Sequence, residues 1–236
     1  MKTEIPFINV RDLVMFPKMT QGLYIGRQPT INAIQLALTK GHKKVLVLTQ
    51  KQFQVNSPKG LKDMYSVGTI CSVEGSVLLQ DGTMKAVLTG ETLFKADKII
   101  EKDGVQFAIG SNIKNPTKIK NIDKSEKNKI LELIVRAKPF ATLDEEALWF
   151  DKLKEEKNGS QFLETLQVNL NYRKSAFSSP NANKKFKSPP KKKEILLVNS
   201  KIKMQQQLLE EANGQQKLEL LKNYFKFEIK NFFAEL

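Results

Sequence analysis

Short apolar runs that end at glycine or proline fill the first half of the 236-residue chain. Runs of this length, rich in valine, isoleucine and aromatic residues, are typical of β-strands. The pattern predicts strands at residues 5–16, 23–25, 45–49, 67–73, 84–89, 92–100 and 105–109. About seven short strands with one helix favour a small, partly closed β-barrel over a parallel α/β sheet.

One helix is predicted between the second and third strands. Thr30 is a candidate N-cap, because a threonine hydroxyl can accept from a free N–H of the first turn. Ile31, Ile34 and Leu38 recur at the spacing of a single helix face. Gly41 is predicted to end the helix in the left-handed conformation that glycine adopts at little cost.

A tight turn is predicted at Asp81 and Gly82, between two of the apolar runs. Both residue types tolerate positive φ, so the pair indicates a two-residue hairpin turn of type I′. Residues 45–49 are aliphatic or β-branched throughout, which predicts a buried central strand.

From Asp123 onward the apolar spacing becomes helical, which gives an α+β fold class overall. Helices are predicted near 123–135, from 142 to about 153, from 160 to about 170, at 200–211 and from Gly214 onward. The last carries a stripe at Leu218, Leu221, Phe225, Ile229, Phe232 and Leu236. This stripe is expected to pack on neighbouring helices, and a seam exposed for a partner is the alternative. The predicted division is a β-rich subdomain at 1–118 and a C-terminal α-helical bundle at 119–236.

The formal charge of +14 and the pI near 9.7 invite an acidic partner. Eight basic residues and no acidic one lie between positions 173 and 193, a stretch rich in Ser, Pro and Asn. Its composition predicts a solvated loop, and a nucleic-acid-binding module is the alternative, since Phe177 and Phe186 interleave the charges. The basic residues are Arg173, Lys174, Lys184, Lys185, Lys187, Lys191, Lys192 and Lys193.

The chain offers little catalytic chemistry. Cys71 is the single cysteine and His42 the single histidine, which rules out an internal disulfide and a zinc cluster. No phosphate-binding loop pattern occurs, and no apolar run has the length of a membrane span. We therefore expect no enzyme activity, no cofactor, no metal and no membrane partner. The N-terminus has no hydrophobic signal core, so a cytoplasmic location is expected.

Four segments in order resemble the N-terminal, substrate-binding domain of Lon proteases. They are NVRDLVMFPKM at 9–19, LYIGR at 23–27, DMYSVGT at 63–69 and DGTMKAVLTG at 81–90. QQLLE at 206–210 and KLELL at 217–221 are similar to its helical part. Lys18, Gly22 and the basic segment depart from the family pattern. The resemblance implies a PUA-like barrel and a stand-alone form without the ATPase and protease modules.

The implied function is non-catalytic binding of unfolded, damaged or degron-bearing polypeptides, as adaptor or holder for a protease acting in trans. Weak homo-oligomerisation is compatible with that role. Methionine and aromatic side chains suit a shallow, sequence-tolerant surface. The candidate polypeptide-binding residues are Met15, Phe16, Met19, Tyr24 and Arg27. The alternative is that the apolar members of this group fill the barrel.

Overall fold

The computed structural model describes residues 2–39, 43–56, 58, 60–113, 123–136, 154–155, 192–210 and 214–235. The chain divides into two compact units. The first comprises Met1–Asn115 with Ala182–Leu209, and the second comprises Pro116–Asn181 with Glu210–Leu236. Residues 192–209 group with the sheet in this division, whereas the predicted boundary places them in the helical subdomain.

A six-stranded sheet forms the first unit, and it closes on itself. The strands are β1 (Thr3–Val10), β2 (Thr20–Ile25), β3 (Lys44–Thr49), β4 (Val67–Leu78), β5 (Met84–Lys102) and β6 (Val105–Asn112). Their order is β2-β5-β4-β3-β1-β6, and β5 also pairs with β6. The ring β5-β4-β3-β1-β6 is therefore complete, and the predicted small barrel within an α+β fold is confirmed.

The strand β5 explains why six strands form where about seven were expected. Its 19 residues run through Gly90, which the sequence suggests as a break between two strands. The register against β4 shifts near this glycine, between Ile70 and Cys71. One half of β5 pairs with β2, and the other half pairs with β6. Through this bulged strand, the closed ring continues into the part of the same sheet that contains β2.

The helix α1 (Gln28–Thr39) connects β2 to β3, which runs parallel to β1. It begins two residues before the predicted cap. The N–H groups of Thr30 and of the next residue donate to the carbonyl oxygen of Arg27, each at 3.0 Å. Thr30 is buried inside the helix, so its prediction as the N-cap is wrong. Pro29 presets a helical φ in the first turn, which favours the earlier start. Gly41 lies outside the described residues.

The hairpin between β4 and β5 differs from the predicted turn. The N–H of Leu79 donates to the carbonyl oxygen of Thr83 at 2.7 Å, and the N–H of Gly82 donates to that of Leu79 at 3.0 Å. Gly82 has a φ of 79°, whereas Asp81 has no positive φ. This is a three-residue loop with a left-handed glycine, so the type I′ prediction is wrong. The Asp81 carboxylate accepts from the N–H of Thr83 at 3.0 Å and stabilises the turn.

Three further α-helices have described bounds, α2 (Lys124–Arg136), α3 (Lys192–Glu210) and α4 (Gly214–Glu235), and a short 3₁₀ helix spans Leu61–Asp63. The helix α3 begins eight residues before the predicted start at Ser200, at the end of the basic segment. Within the first unit, Nε2 of Gln206 donates to the carbonyl oxygen of Val67 at 2.6 Å. Oδ1 of Asn199 accepts from the N–H of Phe53 at 2.8 Å. These contacts hold α3 on the barrel unit.

The second unit contains the α4 stripe. Leu218, Leu221, Phe225 and Ile229 are all buried, which agrees with the predicted packing role. The side chains of Phe232 and Leu236 lie outside the described part of the chain, as do the helices predicted near 142–153 and 160–170.

Gly90 gives a test of the fold. A Cβ atom at Gly90 would overlap the carbonyl oxygen of Phe16, whereas one at Gly22 would meet nothing within 4 Å. We expect Gly90→Ala to lower the free energy of unfolding by about 2 kcal/mol or more. Gly22→Ala should change it by less than about 0.5 kcal/mol. Urea denaturation followed by circular dichroism measures both, and equal stability of the two variants would contradict the close approach.

Candidate functional site

Three of the predicted binding residues lie in the protein core. Met15, Phe16 and Met19 are only 1%, 3% and 3% exposed. The segment that carries them is fixed by backbone contacts: Oγ1 of Thr69 donates to the carbonyl oxygen of Met15 at 2.6 Å, and Gly90 donates to that of Met19 at 2.7 Å. These three side chains fill the interior, so they do not form the exposed surface that the sequence suggests. Their burial agrees with the alternative, in which the apolar members of the group fill the barrel.

Tyr24 is the exposed member of the predicted group. Its side chain is 53% exposed, on a strand whose neighbours in the sequence point inward. Tyr24 pairs with Lys85 of β5, and Lys85 pairs with Val77 of β4. Residues directly opposite each other on antiparallel strands share one face of the sheet. Val77 is 61% exposed, so this row presents an aromatic ring, a cation and an aliphatic side chain on the surface.

A second row lies beside the first on the same face. Gly22, Val87 and Gly75 are opposite one another on β2, β5 and β4. A Cβ atom at either glycine would meet nothing within 4 Å, and neither glycine has a positive φ. Neither packing nor backbone conformation therefore requires glycine here. A glycine in a strand often marks a β-bulge, as the register shift between Val73 and Gly75 indicates for Gly75, or a place where a ligand or another backbone approaches closely.

These two rows define what we term the outer face: Tyr24, Lys85, Val77, Gly22, Val87 and Gly75. Nζ of Lys85 lies 5.6 Å from the centroid of the Tyr24 ring, within the range of a cation–π contact. The opposite side of the same strands is anchored in the interior, since Ile25, Met84 and Ala86 are buried. The outer face is thus a shallow, mainly apolar surface on a rigid support.

Arg27 is held at the end of β2 by a buried glutamine. Its Nη2 donates to Oε1 of Gln50 at 2.9 Å, and the same oxygen accepts from Nδ2 of Asn9 at 3.2 Å. Nε2 of Gln50 donates to the carbonyl oxygen of Val55 at 2.8 Å. Burial lowers the pKa of the Arg27 guanidinium, and the nearby charge of Arg11 lowers that pKa further. Arg27 is therefore part of an internal polar network just after the end of β2.

Of the eight predicted nucleic-acid-binding residues, only Lys192 and Lys193 are described, and both are exposed in the first turn of α3. The other six (Arg173, Lys174, Lys184, Lys185, Lys187 and Lys191) lie outside the described residues. The nucleic-acid alternative therefore stays a prediction.

The described part of the chain contains no set of three or more His, Cys, Asp or Glu side chains placed to hold a metal ion. The thiol of Cys71 is buried, and this burial raises its pKa, with a smaller contribution from Glu91. Among the described helices, none is both long enough and apolar enough to cross a bilayer.

The chain matches the family model for the ATP-dependent protease La (LON) substrate-binding domain over residues 4–225. It is 31% identical over 110 residues to Lon protease of Xanthomonas oryzae pv. oryzae, which is 47% of this chain and 13% of that protein. It is 34% identical over 89 residues to Lon protease of Escherichia coli strain K12, which is 38% of this chain and 11% of that protein. The chain belongs to the Lon substrate-binding domain family, and it matches only about an eighth of these relatives' length.

The fold comparison agrees with this assignment. The N-terminal domain of Mycobacterium avium complex Lon protease superposes with a TM-score of 0.53 at 14% sequence identity. The match covers 95% of this chain and 98% of that one. At this identity the likeness concerns the fold alone.

The hydrogen-bond network of Gln50 gives a test of how Arg27 is held. Gln50→Ala removes the acceptor of Arg27 and leaves that guanidinium buried with fewer partners. We expect the free energy of unfolding to fall by about 3 kcal/mol, the cost of breaking a buried polar network. Gln35→Ala, at an exposed position of α1, should change it by less than about 0.5 kcal/mol. Urea denaturation compares them, and a Gln50 variant as stable as the control would contradict the structural role of the network.

Proposed function

We propose that the chain binds unfolded or degron-bearing polypeptides without converting them, as a substrate-recognition domain of the Lon type. The observation that carries the proposal is the outer face, where Tyr24, Val77 and Val87 lie on one side of three paired strands. Family membership supports it, because the matching model describes a substrate-binding domain. Delivering or holding these polypeptides for a protease in trans is the corresponding cellular role.

The chemistry of the outer face suits a partner without a defined fold. Apolar side chains and an aromatic ring gain free energy from burial whatever the sequence of the partner, at roughly 25 cal/mol per Å² of apolar area. Val87 is half-buried between the two glycine positions, so an extended segment can approach it closely. Lys85 adds a charge that favours partners with acidic residues. Tyr24 and Arg27 remain candidate contacts, whereas Met15, Phe16 and Met19 are buried in the core.

The outer face can be tested with a permanently unfolded protein, reduced and carboxymethylated α-lactalbumin carrying a fluorophore. We expect Tyr24→Ser combined with Val77→Ser to weaken binding about tenfold, since exposed anchor side chains dominate such contacts. Fluorescence anisotropy measures the affinity. The matched control is Leu196→Ser on α3, because Leu196 is 58% exposed but lies outside the outer face. Equal loss in both variants would contradict the assignment of the site.

The nucleic-acid alternative predicts a different outcome. Binding to single-stranded RNA should then fall steeply with salt and be lost on deletion of residues 173–193. Our proposal expects that deletion to leave binding of the unfolded protein unchanged. A chain that binds RNA tightly at physiological salt and ignores the unfolded protein would overturn the proposed function.

A further inference from the structure

The strand β2 offers an open backbone edge beside the outer face. All six residues of β2 pair with β5, from Thr20 opposite Thr89 to Ile25 opposite Met84, without a register shift. In the sheet order β2 is terminal, and β5 is the strand to which it is paired. The other side of β2 therefore has no strand against it among the described residues.

The hydrogen-bonding direction of β2 follows from its first contact with β5. The carbonyl oxygen of Met19, the residue before β2, accepts from the N–H of Gly90 at 2.7 Å, so the backbone carbonyl of Met19 faces β5. Backbone polar groups alternate sides along a strand. The groups of Gln21, Leu23 and Ile25 therefore face β5 as well, and those of Thr20, Gly22 and Tyr24 face the open edge.

One edge-facing group already carries a substitute partner. The carbonyl oxygen of Gly22 accepts from Nε2 of Gln21 at 3.0 Å. Gln21 is 8% exposed, and its Oε1 is buried without a hydrogen-bond partner among the described residues. Leaving a buried amide oxygen unpaired is unfavourable. An N–H from an added strand would satisfy Gly22 and release this amide.

The edge also lacks the features that usually protect such strands. Natural proteins block exposed edges with charged residues, proline or a β-bulge. The sequence of β2, TQGLYI, contains no charged residue and no proline, and its pairing has no bulge. The corresponding end of β4 is different, because its register shifts between Val73 and Gly75, next to the charged Glu74.

The charges closest to β2 along the chain are basic. From Leu13 to Gln28 the chain contains Lys18 and Arg27 and no acidic residue. Lys18 precedes the strand, and Arg27, whose Nη2 donates to Gln50, follows it. Lys85 adds a third cation close to the strand, since its Nζ lies over the ring of Tyr24 on β2. An extended segment with acidic residues complements this edge.

We infer that β2 receives an extended, acid-flanked polypeptide segment as an added β-strand, paired through Thr20, Gly22 and Tyr24. This inference rests on the proposed function and specifies how the partner is held. Main-chain hydrogen bonds can form with any extended peptide, so the pairing tolerates many sequences. Contacts with side chains of the outer face then favour some peptide sequences over others. Gly22, at the centre of the edge, lets the partner backbone approach.

The test uses a fluorescent peptide of about eight residues, with valines in the middle and a glutamate at each end. The matched control is the same peptide with N-methyl groups on the central valines. N-methylation keeps every side chain and charge but removes the main-chain N–H donors. We expect N-methylation to weaken binding about tenfold, as measured by fluorescence anisotropy. Equal affinity of the two peptides would overturn strand addition.

A protein variant tests the same edge by changing β2 instead of the peptide. Gly22→Pro removes an N–H that faces away from β5, at an edge position where proline is tolerated. Gly22→Ala keeps that N–H and adds a methyl group to open space. We expect the proline variant to bind the peptide about tenfold more weakly than the alanine variant, because only proline removes the N–H. Circular dichroism verifies that both variants are folded.

The outcomes separate this inference from the proposed function. If the unfolded protein binds but backbone methylation of the peptide has no effect, strand addition is wrong and the proposed function stands. If neither the unfolded protein nor the peptide binds, both fail. If Gly22→Pro instead abolishes self-association in sedimentation velocity and leaves peptide binding unchanged, the edge pairs with a second copy and the inference is overturned.

Discussion

The close approach of two backbones at Gly90 is the constraint on which the first unit depends. Gly90 binds the segment before β2 through two main-chain hydrogen bonds, with Lys18 and with Met19, each at 2.7 Å. Only a residue without a side chain permits this distance, because a Cβ atom would overlap the carbonyl oxygen of Phe16. The contact fixes where β2 begins and at which register it lies on β5. This glycine therefore positions β2 and, with it, the β2 side of the outer face.

The long strand β5 carries the surface that we propose as the binding site. Its second half closes the barrel against β6, and its first half is the central strand between β2 and the end of β4. One side of that region is anchored by buried Met84 and Ala86, and the other side carries the outer face. A surface that must accept many partners needs such a rigid support, because ordering a flexible surface at each encounter would cost affinity.

The proposed recognition combines two kinds of contact with different selectivity. The outer face contributes apolar burial, with a preference set by Tyr24, Val77 and Lys85. The open edge of β2 contributes main-chain pairing, which any extended polypeptide can make. A folded protein has already paired its own strands and so presents few free edges. The pairing therefore favours unfolded chains over folded ones, without any requirement for a particular sequence.

The sequence by itself determined the β-rich first half, the helical second half, the buried strand β3 and the apolar stripe of α4, because hydrophobic periodicity reports which face of an element is buried. Motif order also gave the family. The tertiary structure decided where Met15, Phe16 and Met19 lie: apolar composition alone cannot distinguish a binding surface from a core, since both require the same residue types. It also decided the outer face, since Tyr24 is distant in the chain from Val77 and Val87 and shares a face with them only through strand register.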